Sequence, residues 1–166
     1  MLFVDTNVFL YARQAAEPAK QKAAHTWIDH AWRAQAGRTS MQVLSEYYVN
    51  ATRKIQPPRA ADDAWEDIEA LMSWNPLPVD RLLLQRGHEI ETRFRLSWWD
   101  ALIVAAAQLQ HCSLLLTEDL QDGAAFGSVT VRSPFTLELG EAPAPYTLTP
   151  EIDAHPKRGR PRKRRA

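Results

Sequence analysis

The sequence predicts an α/β fold with a mostly parallel sheet, on three observations. Leu2 to Val4 is a short apolar run beginning almost at the first residue and stopping on Asp5. A second run, Ser113-Leu114-Leu115-Leu116-Thr117, stops on Glu118-Asp119. Unbroken apolar runs of this length suit strands buried on both faces of a parallel sheet. Between the two lies a succession of helical patterns, and strands alternating with helices are the signature of this class.

Along the chain, Asp5-Thr6-Asn7 follows the first strand, and Asn7 is placed to cap a helix starting at Val8. Glu17-Pro18 opens a helix to about Gln35, in which Ala23, Ala24, Trp27, Ile28, Ala31 and Trp32 recur at helical spacing. Gly37 ends it, and Arg38 to Ser40 reads as a short strand. Ser40 then caps a helix from Met41 to about Lys54, with Val43, Leu44, Tyr47 and Tyr48 toward the core and Pro57-Pro58 closing it. A third helix runs from Ala60 to Trp74 on Ala64, Trp65, Ile68, Leu71 and Met72. Asn75 to Val79 leaves room for a brief edge strand. Leu82 to Phe94 makes a more polar helix. Ser97 to about His111 contains Ala101-Leu102-Ile103-Val104-Ala105-Ala106-Ala107, apolar all round, which belongs at the centre of the core. Val129 to Val131 supplies a third strand.

At 166 residues, 45% apolar and 24% charged, the chain reads as one globular domain with an appendage, a domain over 1–140 and a tail over 141–166. It has no apolar stretch approaching a membrane span and no signal-like start, so a cytoplasmic protein without a membrane partner is expected. Cys112 is the only cysteine, which excludes an internal disulfide and a thiolate metal cage. His25, His30, His88, His111 and His155 show no ligand spacing, and the six glycines form no phosphate loop.

The formal net charge of zero hides an asymmetry. Lys157, Arg158, Arg160, Arg162, Lys163, Arg164 and Arg165 put seven of the 20 basic residues in the last ten positions, so the body holds 13 basic against 20 acidic residues. Pro143, Pro145, Pro150 and Pro156 precede that run, and the tail reads as extended or disordered. Lys157-Arg158-Gly159-Arg160-Pro161-Arg162-Lys163 resembles an AT-hook, whose arginines lie in the narrow minor groove of A·T-rich DNA. The alternative is a general polybasic arm acting on any nucleic acid through counterion release.

Four acids stand beside apolar neighbours on elements of the core: Asp5, Glu46, Asp100 and Asp119. Each has a structural reading. Asp5 belongs to a strand-to-helix turn, Ser97-Trp98-Trp99-Asp100 is a capping-box-like pattern, Glu46 fits a solvent-facing helix position, and Glu118-Asp119 fits a turn. Taken together they read differently, because ionised acids are seldom buried without a partner and few basic residues lie near them in sequence. Oxygen-rich ligation without Cys or clustered His favours Mg²⁺ or Mn²⁺ over zinc.

Asp5-Thr6-Asn7, Ser45-Glu46, Trp99-Asp100-Ala101-Leu102-Ile103 and Leu116-Thr117-Glu118-Asp119-Leu120 together resemble the PIN-domain family, and more narrowly the VapC-type toxins of bacterial toxin–antitoxin pairs. The resemblance covers about Met1 to Leu139. It implies a PIN-like three-layer sandwich, a central mostly parallel sheet flanked by helices. It places the active-site carboxylates on Asp5, Glu46, Asp100 and Asp119 and supporting polar groups on Thr6, Asn7 and Thr117, with Asp122 as an outer acid. The activity implied is metal-dependent hydrolysis of RNA phosphodiester bonds, with Asp5 and Asp100 as first ligands of Mg²⁺ or Mn²⁺. Glu46 and Asp119 would complete a second metal site or hold the attacking water. The family also implies a homodimer and a small antitoxin covering the acidic groove, with Trp98, Tyr47 and Tyr48 as aromatics for core or surface. A basic tail over 157–165 departs from the compact toxin pattern and leaves a DNA contact open. The competing readings are a non-catalytic nucleic-acid-binding adaptor and an aspartyl-phosphate phosphatase. The latter needs a second acid where Asn7 stands.

Overall fold

The computed structural model describes residues 1–136; the boundary at 140 and the tail over 141–166 lie outside them. A five-stranded sheet runs through the centre in the order β2-β1-β3-β5-β4. Strands β1 (Leu2–Val4), β2 (Gly37–Arg38), β3 (Leu114–Leu116) and β5 (Val129–Arg132) pair in parallel. The edge strand β4 (Ala125–Phe126) is antiparallel to β5. The two acid-terminated runs are therefore adjacent parallel strands, with Val4 opposite Leu116. Asp5 and Thr117 consequently leave the sheet side by side at its carboxyl edge, where open α/β sheets place their ligands.

Six helices cover the sheet: α1 (Thr6–Tyr11), α2 (Pro18–Arg33), α3 (Met41–Arg53), α4 (Ala61–Leu71), α5 (Arg81–Phe94) and α6 (Trp98–Leu109). None is long and apolar enough to cross a membrane. In α6 every residue from Ala101 to Ala107 is buried. Helix α5 comes in close to it at Gly87, where a Cβ would stand 2.7 Å from Leu102 Cδ2. On the other side Phe9 of α1 packs edge-on against Tyr47 of α3 and tilts against Trp74. Tyr47 is buried and donates its hydroxyl to Asp67, which also accepts from Arg13 and forms an ion pair with Arg59. It is a core residue, as its helical spacing suggested, and presents nothing to a partner.

Several expectations are corrected. Helix α1 starts at Thr6, and its cap is Asp5, not Asn7: Asp5 is extended and accepts from Thr6 N–H at 2.7 Å. Strand β2 is Gly37–Arg38, and Ser40 makes only an isolated bridge to Leu77, where the brief edge strand was expected. Helix α4 gives way after Leu71 to a 3₁₀ turn, Met72–Trp74, ended by Asn75 in the left-handed region at φ 53. Trp32, Trp65 and Met72, counted with the core by spacing, are exposed. Ser40 and Ser97 cap α3 and α6 as read, accepting from Val43 N–H and Asp100 N–H.

Gly37 and Gly87 are both tight, for different reasons. A Cβ on Gly37 would meet three ring atoms of buried Trp74 at 2.7 Å, a rigid obstacle wedged against Phe9 and Trp32. On Gly87 it meets the end of a leucine, and alanine gains about 1 kcal/mol of helix propensity there. Urea denaturation should find Gly37→Ala destabilised by about 1–3 kcal/mol, the usual cost of overpacking, and Gly87→Ala within about 1 kcal/mol of wild type. A Gly37→Ala protein as stable as wild type would contradict this packing.

Candidate active site

The buried carboxylate of Asp5 is the hub of the carboxyl edge. Its Oδ1 accepts from Thr6 N–H at 2.7 Å, and its Oδ2 accepts from the Thr117 hydroxyl at 2.7 Å. The same Thr117 oxygen accepts from Asn7 Nδ2 at 2.9 Å and from Asp119 N–H at 3.1 Å, so all its hydrogen-bonding capacity is used. Asn7 Nδ2 also donates to Asp119 Oδ2 at 3.0 Å, with a longer contact of 3.4 Å to Asp5 Oδ2. These contacts tie the ends of β1 and β3 and the first turn of α1 into one network.

Glu46 joins from α3. Its Oε2 accepts from the Thr6 hydroxyl at 3.3 Å and its Oε1 from Gln42 Nε2 at 3.1 Å. Asp100 sits in the first turn of α6, its backbone N–H donating to Ser97 Oγ and its Oδ2 accepting from that hydroxyl at 2.6 Å. Ser97 caps α6 as read, but Asp100 bonds the Ser97 hydroxyl and not its backbone N–H, so the reciprocal half of a capping box is missing and Asp100 Oδ1 stays uncommitted to the cap. Burial falls off across the set: Asp5 is buried, Glu46 and Asp100 are half-buried, and Asp119 is exposed. The expectation that all four would be buried holds for Asp5 alone.

Neighbouring polar residues separate cleanly from this group. Glu118, adjacent to Asp119 in sequence, is held by Lys20 at 2.8 Å, and Lys20 also donates to the Tyr11 hydroxyl. Asp122, expected as an outer acid, instead accepts from Arg132 Nε at 3.1 Å and Ser133 N–H at 2.7 Å, fastening the end of β5. Cys112 is buried, and burial pushes its thiol up to about 11, as befits a small core residue. Trp98 is half-buried, while Trp99 is 61% exposed on the first turn of α6. Gln42 was not singled out by sequence reading, although its spacing of four from Glu46 on one helix was visible.

The electrostatics follow the geometry. Burial pushes the Asp5 carboxyl up to about 7; the Thr117 and Thr6 donors oppose this, and the nearby Asp119 and Glu46 charges add to it. Burial also raises Asp100, its Ser97 bond opposing and Asp119 adding. Asp119 therefore acts on both Asp5 and Asp100, and the four acids share one electrostatic neighbourhood. No ammonium or guanidinium is within salt-bridge distance of any of the four among the described residues. As the side chains stand, no three His, Cys, Asp or Glu residues of the described chain close on a common point.

The donor set nonetheless fits a hard divalent cation. It is all oxygen, it lacks a positive counter-charge, and it includes a buried orphan. Among the described residues four buried side-chain polar atoms have no partner, and two of them, Asn7 Oδ1 and Gln42 Oε1, lie here. An unsatisfied buried acceptor costs roughly 1–3 kcal/mol, so two at one site ask for an explanation.

Comparison with known proteins bears on the same residues. The model of the family described as PIN domain matches residues 2–121. The chain belongs to the PIN-domain family. No curated protein sequence matches it. Among solved structures, the PIN domain here is similar to a chain of a toxin–antitoxin complex from Klebsiella pneumoniae, at 20% identity and TM-score 0.57, covering 81% of this chain and 98% of that one. A chain of FitAB bound to a DNA fragment aligns at 19% identity and TM-score 0.65, over 85% and 100% of the two chains. VapC20 of Mycobacterium tuberculosis, a sarcin–ricin-loop-cleaving toxin, aligns at 21% and 0.56, over 72% and 92%. These likenesses show the fold: the expected α/β sandwich with its mostly parallel sheet is the one observed.

The raised Asp5 carboxyl sets a pH dependence. Its folded value of about 7 lies above the ordinary 3.8, so the fold holds the proton more tightly than the unfolded chain. Stability from this group is full below about pH 4 and is lost as pH rises toward and past 7. In urea denaturation with EDTA, wild type should lose roughly 2–4 kcal/mol between pH 4.5 and 8 relative to Asp5→Asn, which cannot ionise. Parallel profiles for the two proteins would show that Asp5 is not desolvated as described.

Proposed function

We propose that this PIN-domain protein is an Mg²⁺- or Mn²⁺-dependent endoribonuclease, the VapC-type toxin of a toxin–antitoxin pair. The observation that carries this reading is the uncompensated carboxylate group at the carboxyl edge, with Asp5 buried at its base and wired through Thr117 and Asn7 to Asp119. The solved structures of similar fold support it, since one is described as a toxin–antitoxin complex and another as a cleaving toxin.

In this reading Asp5 and Asp100 hold the cation directly. Glu46 and Asp119 complete a second position or hold the water that attacks the phosphodiester. When bound, the divalent ion acidifies a water molecule and offsets the negative charge that develops on the phosphate. The chain's own residues do the remainder. Thr117 and Thr6 orient Asp5 and favour its ionised form against the burial that raises it. Ser97 restrains the rotation of Asp100 by holding Oδ2, which leaves Oδ1 free of the cap. Asp119, exposed at the rim, is the one acid of the set with ready exchange to solvent, and it suits the role of taking the proton from the attacking water. Among the described residues no imidazole joins this network, and in this reading a carboxylate takes the proton.

The partners follow from the same reading: an RNA substrate, an antitoxin and a second copy of the chain as a homodimer. Proposed too is that the basic residues 157–165 contact nucleic acid, as a DNA-directed hook or as an arm indifferent to sequence.

Incubated with a mixed RNA substrate, the protein should cleave in Mg²⁺ or Mn²⁺ and stop when EDTA is added. Asp5→Asn and Asp100→Asn should each lower the rate by at least about 100-fold while melting cooperatively, since each loses a group that charge stabilisation depends on. Full activity in either variant, or cleavage unaffected by EDTA, would remove the assignment. Truncation after Pro156 should weaken RNA and DNA binding together and flatten the salt dependence if the tail is a general arm. A selective loss of A·T-rich DNA binding would mark it as a hook.

A further inference from the structure

Gln42 is out of place by composition. Among the described residues six polar or charged residues are buried: Asp5, Thr6, Thr39, Ser40, Gln42 and Thr117. Asp5, Thr6 and Thr117 belong to the acid network, Ser40 caps α3, and Thr39 donates to the Val4 carbonyl at 3.3 Å. Gln42 lies in the first turn of α3 beside Val43 and Leu44, both buried, at a position where an apolar side chain would bury at no polar cost. Instead it carries an amide whose nitrogen donates to Glu46 Oε1 at 3.1 Å and whose oxygen finds no partner. Turning the amide over would bring that oxygen against the Glu46 carboxylate, so its orientation is fixed by Glu46.

Glu46 is then gripped from two sides. Gln42, one helical turn earlier, holds Oε1, and Thr6 of α1 holds Oε2 at 3.3 Å. A free glutamate has several rotamers, and two donors on two different helices favour the one that meets both. We propose that Gln42 is a positioning residue, whose amide holds the Glu46 carboxylate toward Asp5 and so sets the affinity of the acid cluster for a divalent cation. This rests on the nuclease reading above. The orphaned Gln42 oxygen is the cost of the arrangement, and buried polar groups left partly unsatisfied are concentrated where function demands them. Residues that orient metal-binding side chains commonly change metal affinity by 10–100-fold when replaced.

Calorimetric titration of the full-length chain with Mn²⁺ alone tests this without recourse to cleavage. Gln42→Met keeps the length and helix propensity and removes both amide groups. In EDTA it should melt at or above the wild-type temperature, since an unsatisfied buried acceptor has been removed. Its Mn²⁺ dissociation constant should rise about 10-fold. In an Glu46→Ala background, Gln42→Met should change the Mn²⁺ affinity no further. Unchanged Mn²⁺ binding in Gln42→Met, or an equal loss with and without Glu46, overturns the positioning role while leaving the nuclease reading intact. A wild-type chain that binds no Mn²⁺ removes the nuclease reading and this inference with it.

Discussion

The hydrogen bond from the Thr117 hydroxyl to Asp5 is the contact on which the site depends. It exists because β1 and β3 pair in parallel with Val4 opposite Leu116, so that the next residue of each strand leaves the sheet at the same height. A one-residue slip of that register would turn Thr117 to the other face and leave Asp5 buried without its strongest side-chain donor. The apolar residues of the two strands hold the register, and the register places the chemistry. Asn7 then reaches across because Asp5 has already started α1, which turns the next residues back over the strand ends.

That arrangement makes the site uneven by design of the chain's path. Asp5 is anchored at the sheet and is the most desolvated of the four, with Asp100 raised by burial as well. Asp100 arrives on α6, whose depth is set by the close approach of α5 at Gly87, and Glu46 arrives on α3, seated by the contact of Phe9 with Tyr47. Asp119 comes last, on the exposed turn after β3. The distribution puts the least hydrated carboxylate at the base and the most hydrated at the mouth. In the nuclease reading, a divalent ion held by this group would have to compete with a proton at the base, where burial pushes the Asp5 carboxyl up to about 7.

Much of this could be read from the chain. The two apolar runs that stop on acids located the sheet edge, the alanine-rich segment located the central helix, and Ser40 and Ser97 located two caps, because each is a local signal with a single strong reading. The rest was decided over longer distances. Asp5 and Asn7 are both good caps, two residues apart, and only the extended backbone forced by sheet pairing selects Asp5. Glu118 and Asp119 are adjacent acids, and Lys20, about a hundred positions away, claims one of them. Trp65 and Met72 fit the helical period yet lie outside, since periodicity fixes a face but not how far the covering helices extend over it. Strand β4 is two residues long and carries no alternation to detect. Gln42 gave only a spacing, and burial is what makes that spacing informative.

The two orphaned amide oxygens carry the argument one step further. Asn7 and Gln42 each commit their nitrogen to carboxylates of this acidic group, and each leaves its oxygen without a donor. An amide has donors only on nitrogen, so a site rich in carboxylates recruits that end and strands the other. The cluster thus satisfies its negative charge with weak neutral donors where a lysine or arginine would do so far better. A guanidinium there would complete the carboxylates' hydrogen bonding and fill the space between them. Neutral donors hold the acids in place while leaving their charge uncancelled, which is the condition a group must meet if its counter-charge is to be a divalent cation.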